Sequence, residues 1–239
     1  MKDSLPAALN NSSRQRALRR WRFLFLALCL AVGADTAHAR NPAGNVLSAA
    51  ELARRVDRHY NSLHSLEVHF VQRYKGMGMH RRESGVLLLR KPGRMRWTYT
   101  DPDGKLFILD GKYGYFYSPG QSEAQKVPEK NLDDLRSPLR FLLGHTELQK
   151  ELKNLEIAPA GDGEYVLSGV PKGLEQRVAS MKITATVDGT IRAMTLVETD
   201  GVTNTFDFSG EAANVPAPDS AFTFLPPPGV HVVTGMAPV

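Results

Sequence analysis

The sequence predicts a mainly β protein with a little helix: one large antiparallel sheet, curved and crossed by a few short helices. Three observations carry this. Long stretches after residue 65 alternate apolar and polar residues with period two. Five Asp-Gly pairs, at 103–104, 110–111, 162–163, 188–189 and 200–201, punctuate those stretches. Asp-Gly supplies the positive φ angles that tight hairpin turns need, so the strands follow one another as a meander. Finally, helical periodicity appears only ahead of the first strand and once in mid-chain.

The N-terminal helix starts at Ser48-Ala49-Ala50-Glu51, a capping-box sequence. Leu47 and Leu52 are spaced for a hydrophobic staple, and Leu52, Val56, His59 or Tyr60, and Leu63 make one apolar stripe. Such a helix lies on something apolar. The first strand follows, with Leu66, Val68, Phe70, Gln72 and Tyr74 on one face. "ESGVLLLRK", "RMRWTYT", "KLFIL" and "YGYFYS" read as the next strands. After the mid-chain break, "EYVLSGV", "QRVASMKITATV", "TIRAMTLVET" and "TNTFDFS" extend the sheet, and "FTFLPPPGVHVV" closes as a short strand with a stiff tail. The break itself, Asn131 to Leu143, is helical in pattern and restarts at Ser137-Pro138, a cap followed by proline at the first helical position.

The first 39 residues stand apart from this fold. A basic stretch (Lys2, Arg14, Arg16, Arg19, Arg20, Arg22) precedes a short apolar run, Phe23 to Ala34, and then Ala37-His38-Ala39. That order is a secretory signal peptide cleaved after Ala39, leaving residues 40–239 as a single soluble domain in an extracytoplasmic compartment. Six of the 30 basic and two of the 25 acidic residues lie in the leader, so the remainder is nearly neutral and shows no nucleic-acid footprint. Cys29, the only cysteine, is also in the leader, which excludes disulfides, thiol nucleophiles and Cys-ligated metal from the mature chain. About 200 residues bury roughly 70% of the unfolded surface, enough for one core without crosslinks.

No enzyme motif stands out. The seven histidines make neither HExxH nor His-x-His. There is no GxSxG elbow and no phosphate-cradling glycine loop. Asp133-Asp134 is placed to favour a helix N-terminus rather than to act as an acid/base pair. No cofactor and no metal are expected. What the sequence supplies in excess is apolar surface: Met95, Trp97 and Tyr99 alternate along one strand, and Tyr113, Tyr115 and Tyr117 along another. Periodicity alone reads these rings as packed core; the alternative is the wall of a pocket between sheet and helices.

The motifs "SLEVHFVQRY", "GVLLLRKPGRMRWTYTDPDGKLFILDGKYGYFYSP", "SPLRFLLG" and "FTFLPPPGV" together resemble the periplasmic outer-membrane lipoprotein carrier family, LolA, across nearly the whole mature chain. The resemblance implies an incomplete antiparallel barrel closed by the N-terminal helix and mid-chain lid helices, around an apolar cavity for acyl chains. It also implies a periplasmic, monomeric, non-catalytic carrier. Such a carrier takes acylated lipoproteins from an inner-membrane ABC transporter and passes them to an outer-membrane receptor. A carrier of another lipid, such as a glycolipid, and an envelope-stress sensor are the alternatives. Carried over by residue, Phe70, Met95, Trp97, Tyr99, Tyr115 and Tyr117 are expected to line the cavity, with Val56, Leu139, Phe141 and Leu142 on the lid. The family's arginine ahead of the strand proline, which bonds lid carbonyls, is here replaced by Lys91, with Arg90 one residue earlier and pointing to the opposite face.

Overall fold

The computed structural model describes residues 47–129, 132 and 145–235. They fold as a twelve-stranded open sheet with one long helix. Helix α1 spans Ala49–Asn61, and strands β1 (Ser65–Gly76), β2 (Met79–Arg90), β3 (Arg94–Asp101), β4 (Asp103–Leu109), β5 (Tyr113–Tyr117) and β6 (Glu123–Pro128) follow. The four-residue helix α2 (Leu148–Glu151) precedes β7 (Leu152–Gly161), β8 (Glu164–Pro171), β9 (Val178–Thr186), β10 (Ile191–Glu198) and β11 (Thr203–Ala213). A 3-10 turn at Asp219–Phe222 and β12 (His231–Thr234) end the described chain. The sheet order is β12-β6-β5-β4-β3-β2-β1-β11-β10-β9-β8-β7, so β11 closes back beside β1 and the two edges remain unjoined. The expected curved antiparallel sheet, an incomplete barrel, is the fold observed.

All five Asp-Gly pairs fall at strand junctions, each with its glycine at positive φ. Gly189, at φ 98°, has a further role. A Cβ there would lie 2.4 Å from the Arg55 carbonyl oxygen, so the β9–β10 turn approaches α1 as closely as it does only without a side chain. The expected α1 forms, with the Ser48 hydroxyl accepting from the Glu51 amide at 3.1 Å. The capping box is half made: the Glu51 carboxylate turns to Arg54 and Arg55, at 2.7 and 2.9 Å, instead of back to the cap. Leu52, Ala53, Val56 and Tyr60 are buried against the sheet, with Tyr60 rather than His59 completing the stripe.

Three sequence expectations are corrected. Glu123–Pro128 and Leu152–Gly161 are strands that the sequence pattern leaves unassigned. The first buries only Ala124 and Val127; the second carries Pro159, which is tolerated because β7 is an edge strand. The segment Phe222-Thr223-Phe224 is not a strand, and β12 begins later and pairs parallel to β6. The helix expected over Asn131 to Leu143 lies outside the described residues, Leu132 excepted. Leu132 is buried, and Gly114 leaves room for it: a Cβ there would lie 2.5 Å from Leu132 Cδ1.

The sheet has two differently covered faces. On the helix face lies the main core, to which α1 and most strands contribute. On the opposite, tail face, Phe222 and Phe224 pack over Ile108, Ala124, Leu106, Tyr115 and Tyr117 of strands β4 to β6.

Candidate functional site

Strand register assembles an aromatic group on the helix face. Trp97 on β3 stands opposite Leu87 on β2 and Phe107 on β4; Phe70 on β1 stands opposite Gly85 and Phe208. The backbone at Gly85 sits so near β3 that a Cβ would lie 2.1 Å from the Thr98 carbonyl. With no side chain there, the Phe70 ring reaches across to β3. Phe70 then meets Trp97 edge-on at 4.6 Å and Tyr99 at 5.1 Å, while Trp97 meets Phe206 at 5.4 Å. Edge-to-face contacts of this kind are the favoured geometry of aromatic quadrupoles. The Trp97 indole donates to the Met95 sulfur at 2.8 Å. The Tyr99 hydroxyl donates to Gln72 Oε1 at 3.3 Å, and the Gln72 amide donates to Asn204 at 3.1 Å, so a thin polar edge borders the apolar group. Burial, with the Glu83 charge as a second cause, pushes the Tyr99 phenol above its ordinary pKa.

Phe70, Met95, Trp97 and Tyr99 are thus brought together, and all four are buried. Tyr115 and Tyr117 are not with them. Cross-strand pairing sets Phe107 opposite Phe116 and Ile108 opposite Tyr115, which turns Phe116 to the helix face and both tyrosines to the tail face. There Tyr115 stacks on Phe224 at 5.3 Å, and Tyr117 lies 6.4 Å from the same ring. The alternation along "YGYFY" is read correctly from the sequence; its phase relative to Trp97 is not. Counting out from Asp110-Gly111 would have set it, since that turn pairs 107 with 116. Phe206 and Phe208 also join the group, on a strand whose apolar residues lie more than a hundred positions from Trp97.

Helix α1 packs on the same apolar core from the β7–β8 side of the sheet and is fastened at its rim by polar contacts. Arg55 donates to the Val187 carbonyl at 2.8 Å. The Glu211 carboxylate receives the Tyr60 hydroxyl at 2.9 Å and meets His59 Nε2 at 2.6 Å, and the Tyr60 oxygen accepts the Ile191 amide at 3.0 Å. The Glu211 carboxylate raises the His59 pKa above its ordinary value, and burial raises that of Tyr60. Asn61 exchanges two hydrogen bonds with the Thr146 backbone, and Asp57 accepts the Leu148 amide at 3.1 Å. Burial pushes the Asp57 carboxyl up to about 6. Val56, buried on α1, faces the core beneath; Leu139, Phe141 and Leu142 lie outside the described residues.

The adjacent bases Arg90 and Lys91 divide between the two coverings. Lys91 Nζ donates to the Tyr60 carbonyl at 2.8 Å, in the last turn of α1. Carbonyls of a helical last turn lack intrahelical partners and carry the negative end of the dipole, so a cation is well placed there. Partial burial lowers the Lys91 pKa. Arg90 turns the other way: it donates to the Ala217 carbonyl at 2.6 Å, pairs with Asp219, and lies over the Phe222 ring at 5.2 Å. Among the described residues no cluster of histidines and carboxylates could hold a metal. Nor is any helix among them long and apolar enough to cross a membrane.

The family model described as "Outer membrane lipoprotein carrier protein LolA" matches residues 61–225, a stretch that contains both the aromatic group and the two bases. The chain belongs to the LolA family. A relative from Nitrosospira multiformis, named outer-membrane lipoprotein carrier protein, is 32% identical over 153 residues, covering 63% of this chain and 72% of its own. One of the same name from Yersinia enterocolitica is 30% identical over 207 residues, covering 87% and 95%. The solved structure of an uncharacterized conserved protein from Thermus thermophilus is similar in fold, with a TM-score of 0.50 at 12% identity over 77% of this chain and 98% of that one. Within the LolA family this member carries Lys91 next to the proline of the β2–β3 turn.

Proposed function

We propose that the protein carries acylated lipoproteins through the periplasm, taking them from an inner-membrane ABC transporter and delivering them to the outer membrane. The acyl chains lie between α1 and the aromatic group around Trp97 when α1 lifts. The observation that carries this reading is the pairing of a continuous apolar face with a helix fastened over it by polar rim contacts. Water-exposed acyl chains cost about 0.8 kcal/mol per methylene, so lipoproteins cross an aqueous space only in a shielding carrier. The same magnitude demands a reversible shield. Rim hydrogen bonds contribute roughly 1 kcal/mol each, which closes the empty carrier without locking it. No covalent step is needed: the carrier holds and releases, and energy for loading comes from the transporter.

The test is release from inner-membrane spheroplasts that retain their own transporter. The purified protein should bring newly made lipoproteins into the soluble fraction. Release at the level seen without added protein rejects the reading. Recovery of free lipids or glycolipids without acylated protein would reassign the cargo.

A further inference from the structure

In the β1–β2 hairpin, β1 is flanked by β11 out to Lys75, while β2 runs beyond β3. The two strands stay paired out to Gly76 and Met79, whereas β3 pairs with β2 only as far as Ser84, so residues 79–83 overhang. The turn at the tip is Met77-Gly78, both at positive φ, 50° and 73°. Two-residue turns with both central residues at positive φ favour Asn-Gly, and an L side chain such as methionine is strained there. This methionine is also 79% exposed, and Met79 beside it is 48% exposed. Behind the tip, Arg73 stands directly opposite Arg82 and Lys75 opposite His80. Like charges set opposite each other in a sheet destabilise it.

Few of these bases are ion-paired. Arg73 pairs with Asp207, Glu83 is taken by Lys105 at 2.6 Å, and Arg81 lies over the Tyr74 ring at 4.8 Å. Lys75, His80 and Arg82 have no ion partner among the described residues. A strained apolar apex and opposed basic residues both work against the fold locally, and of the two opposed arginines only Arg73 has an ion partner among the described residues.

We propose that this hairpin tip docks on anionic phospholipid surfaces. Guanidinium and ammonium groups of the collar meet the headgroup phosphates, and Met77 and Met79 pass between headgroups to the acyl boundary. Basic collar and apolar apex together match that layered surface. An acidic protein surface would match the collar and leave the methionines unexplained. The site is separate from the cargo reading: the tip lies at the far end of β2 from Lys91, about 35 Å away along a twelve-residue strand.

The test uses the protein recovered after export and processing, with vesicles containing no lipoprotein and no transporter, so that its outcome is independent of the cargo proposal. Co-sedimentation should be seen with vesicles of mixed phosphatidylglycerol and phosphatidylcholine, and should weaken as salt is added. Phosphatidylcholine alone should bind poorly. The double variant Lys75→Gln/Arg82→Gln should lose on the order of 25-fold in vesicle affinity, about fivefold per base. Met77→Ser/Met79→Ser should lose roughly tenfold or more. Both should keep wild-type circular dichroism and wild-type unfolding midpoints or better, because the residues replaced are exposed and locally unfavourable. Wild-type binding that equals that of both variants, or that is the same on neutral vesicles, overturns the proposal. So does loss of spheroplast release in the variants without any vesicle binding by the wild type, which would assign the tip to a protein partner.

Discussion

The Lys91 ammonium and the Tyr60 carbonyl, 2.8 Å apart, join the β2–β3 turn to the last turn of α1. One strong hydrogen bond from a point charge therefore holds the helix end to the β2–β3 turn. Lys91→Met should remove about 1 kcal/mol of stability. Amide hydrogen exchange should rise mainly in Arg58–Leu63, the helix end nearest the lost contact. Lys91→Arg should act in the other direction, because its planar fork offers more donors to the carbonyls of that turn. Exchange that changes evenly across the whole sheet in Lys91→Met would show that the contact has no local fastening role.

Trp97 offers a direct reporter. Trp21 is the only other tryptophan and falls within the expected signal peptide, so protein cut after Ala39 emits from Trp97 alone. An acyl chain brominated along its length should quench that emission strongly if it enters beneath α1. Binding by another method with undiminished emission would place the cargo elsewhere.

Gly189→Ala should be severe for a single methyl group. The new Cβ would lie 2.4 Å from the Arg55 carbonyl and hold the turn at an unfavourable positive φ. A loss of about 2 kcal/mol or more in denaturant unfolding is expected, with α1 displaced rather than the sheet. A loss below about 0.5 kcal/mol would mean that the turn retreats without effort.

Two groups on α1 make its attachment pH-dependent in the same sense. The Asp57 carboxyl has a folded pKa of about 6 against an unfolded value near 3.8, so the folded state binds the extra proton between them. Its destabilising effect is absent below that window, grows through it, and is complete above pH 6. His59, raised above 6.5 by Glu211, contributes stability that is full below 6.5 and is lost as pH rises through its folded pKa. Stability from α1 should therefore fall on going from pH 5 to pH 8. Asp57→Asn keeps an oxygen for the Leu148 amide and should add about 1 kcal/mol at neutral pH, after allowance for solvent screening. It should also flatten the acid part of the slope, and His59→Gln the neutral part. Unfolding midpoints that move in parallel with wild type across pH would reject both assignments.

The parts of the fold legible in the sequence are those fixed by local chemistry. Asp-Gly marks five junctions correctly because its backbone preference needs no partner, and Ser48 starts α1 for the same reason. Pairing is not local. The Trp97 face follows from alternation within β3, but whether Tyr115 or Phe116 joins it depends on a cross-strand count through two turns. Strand β6 shows too little apolar pattern to announce itself, and β7 reads poorly because an edge strand can hold Pro159. The division of Arg90 from Lys91 was foreseeable from alternation; that Lys91 reaches Tyr60 required knowing where the helix ends.

The tail covering bears on mechanics. Strands β4 to β6 are clad on both sides, by the main core and by Phe222 and Phe224, whereas β9 and β10 expose Lys182 and Arg192 and leave Thr184 and Thr195 half-buried. A ribbon packed on two sides resists bending more than a ribbon packed on one. The molecule is thus divided into a stiff half that bears the tail and a pliant half that bears α1, and any widening needed to admit a guest falls on the second.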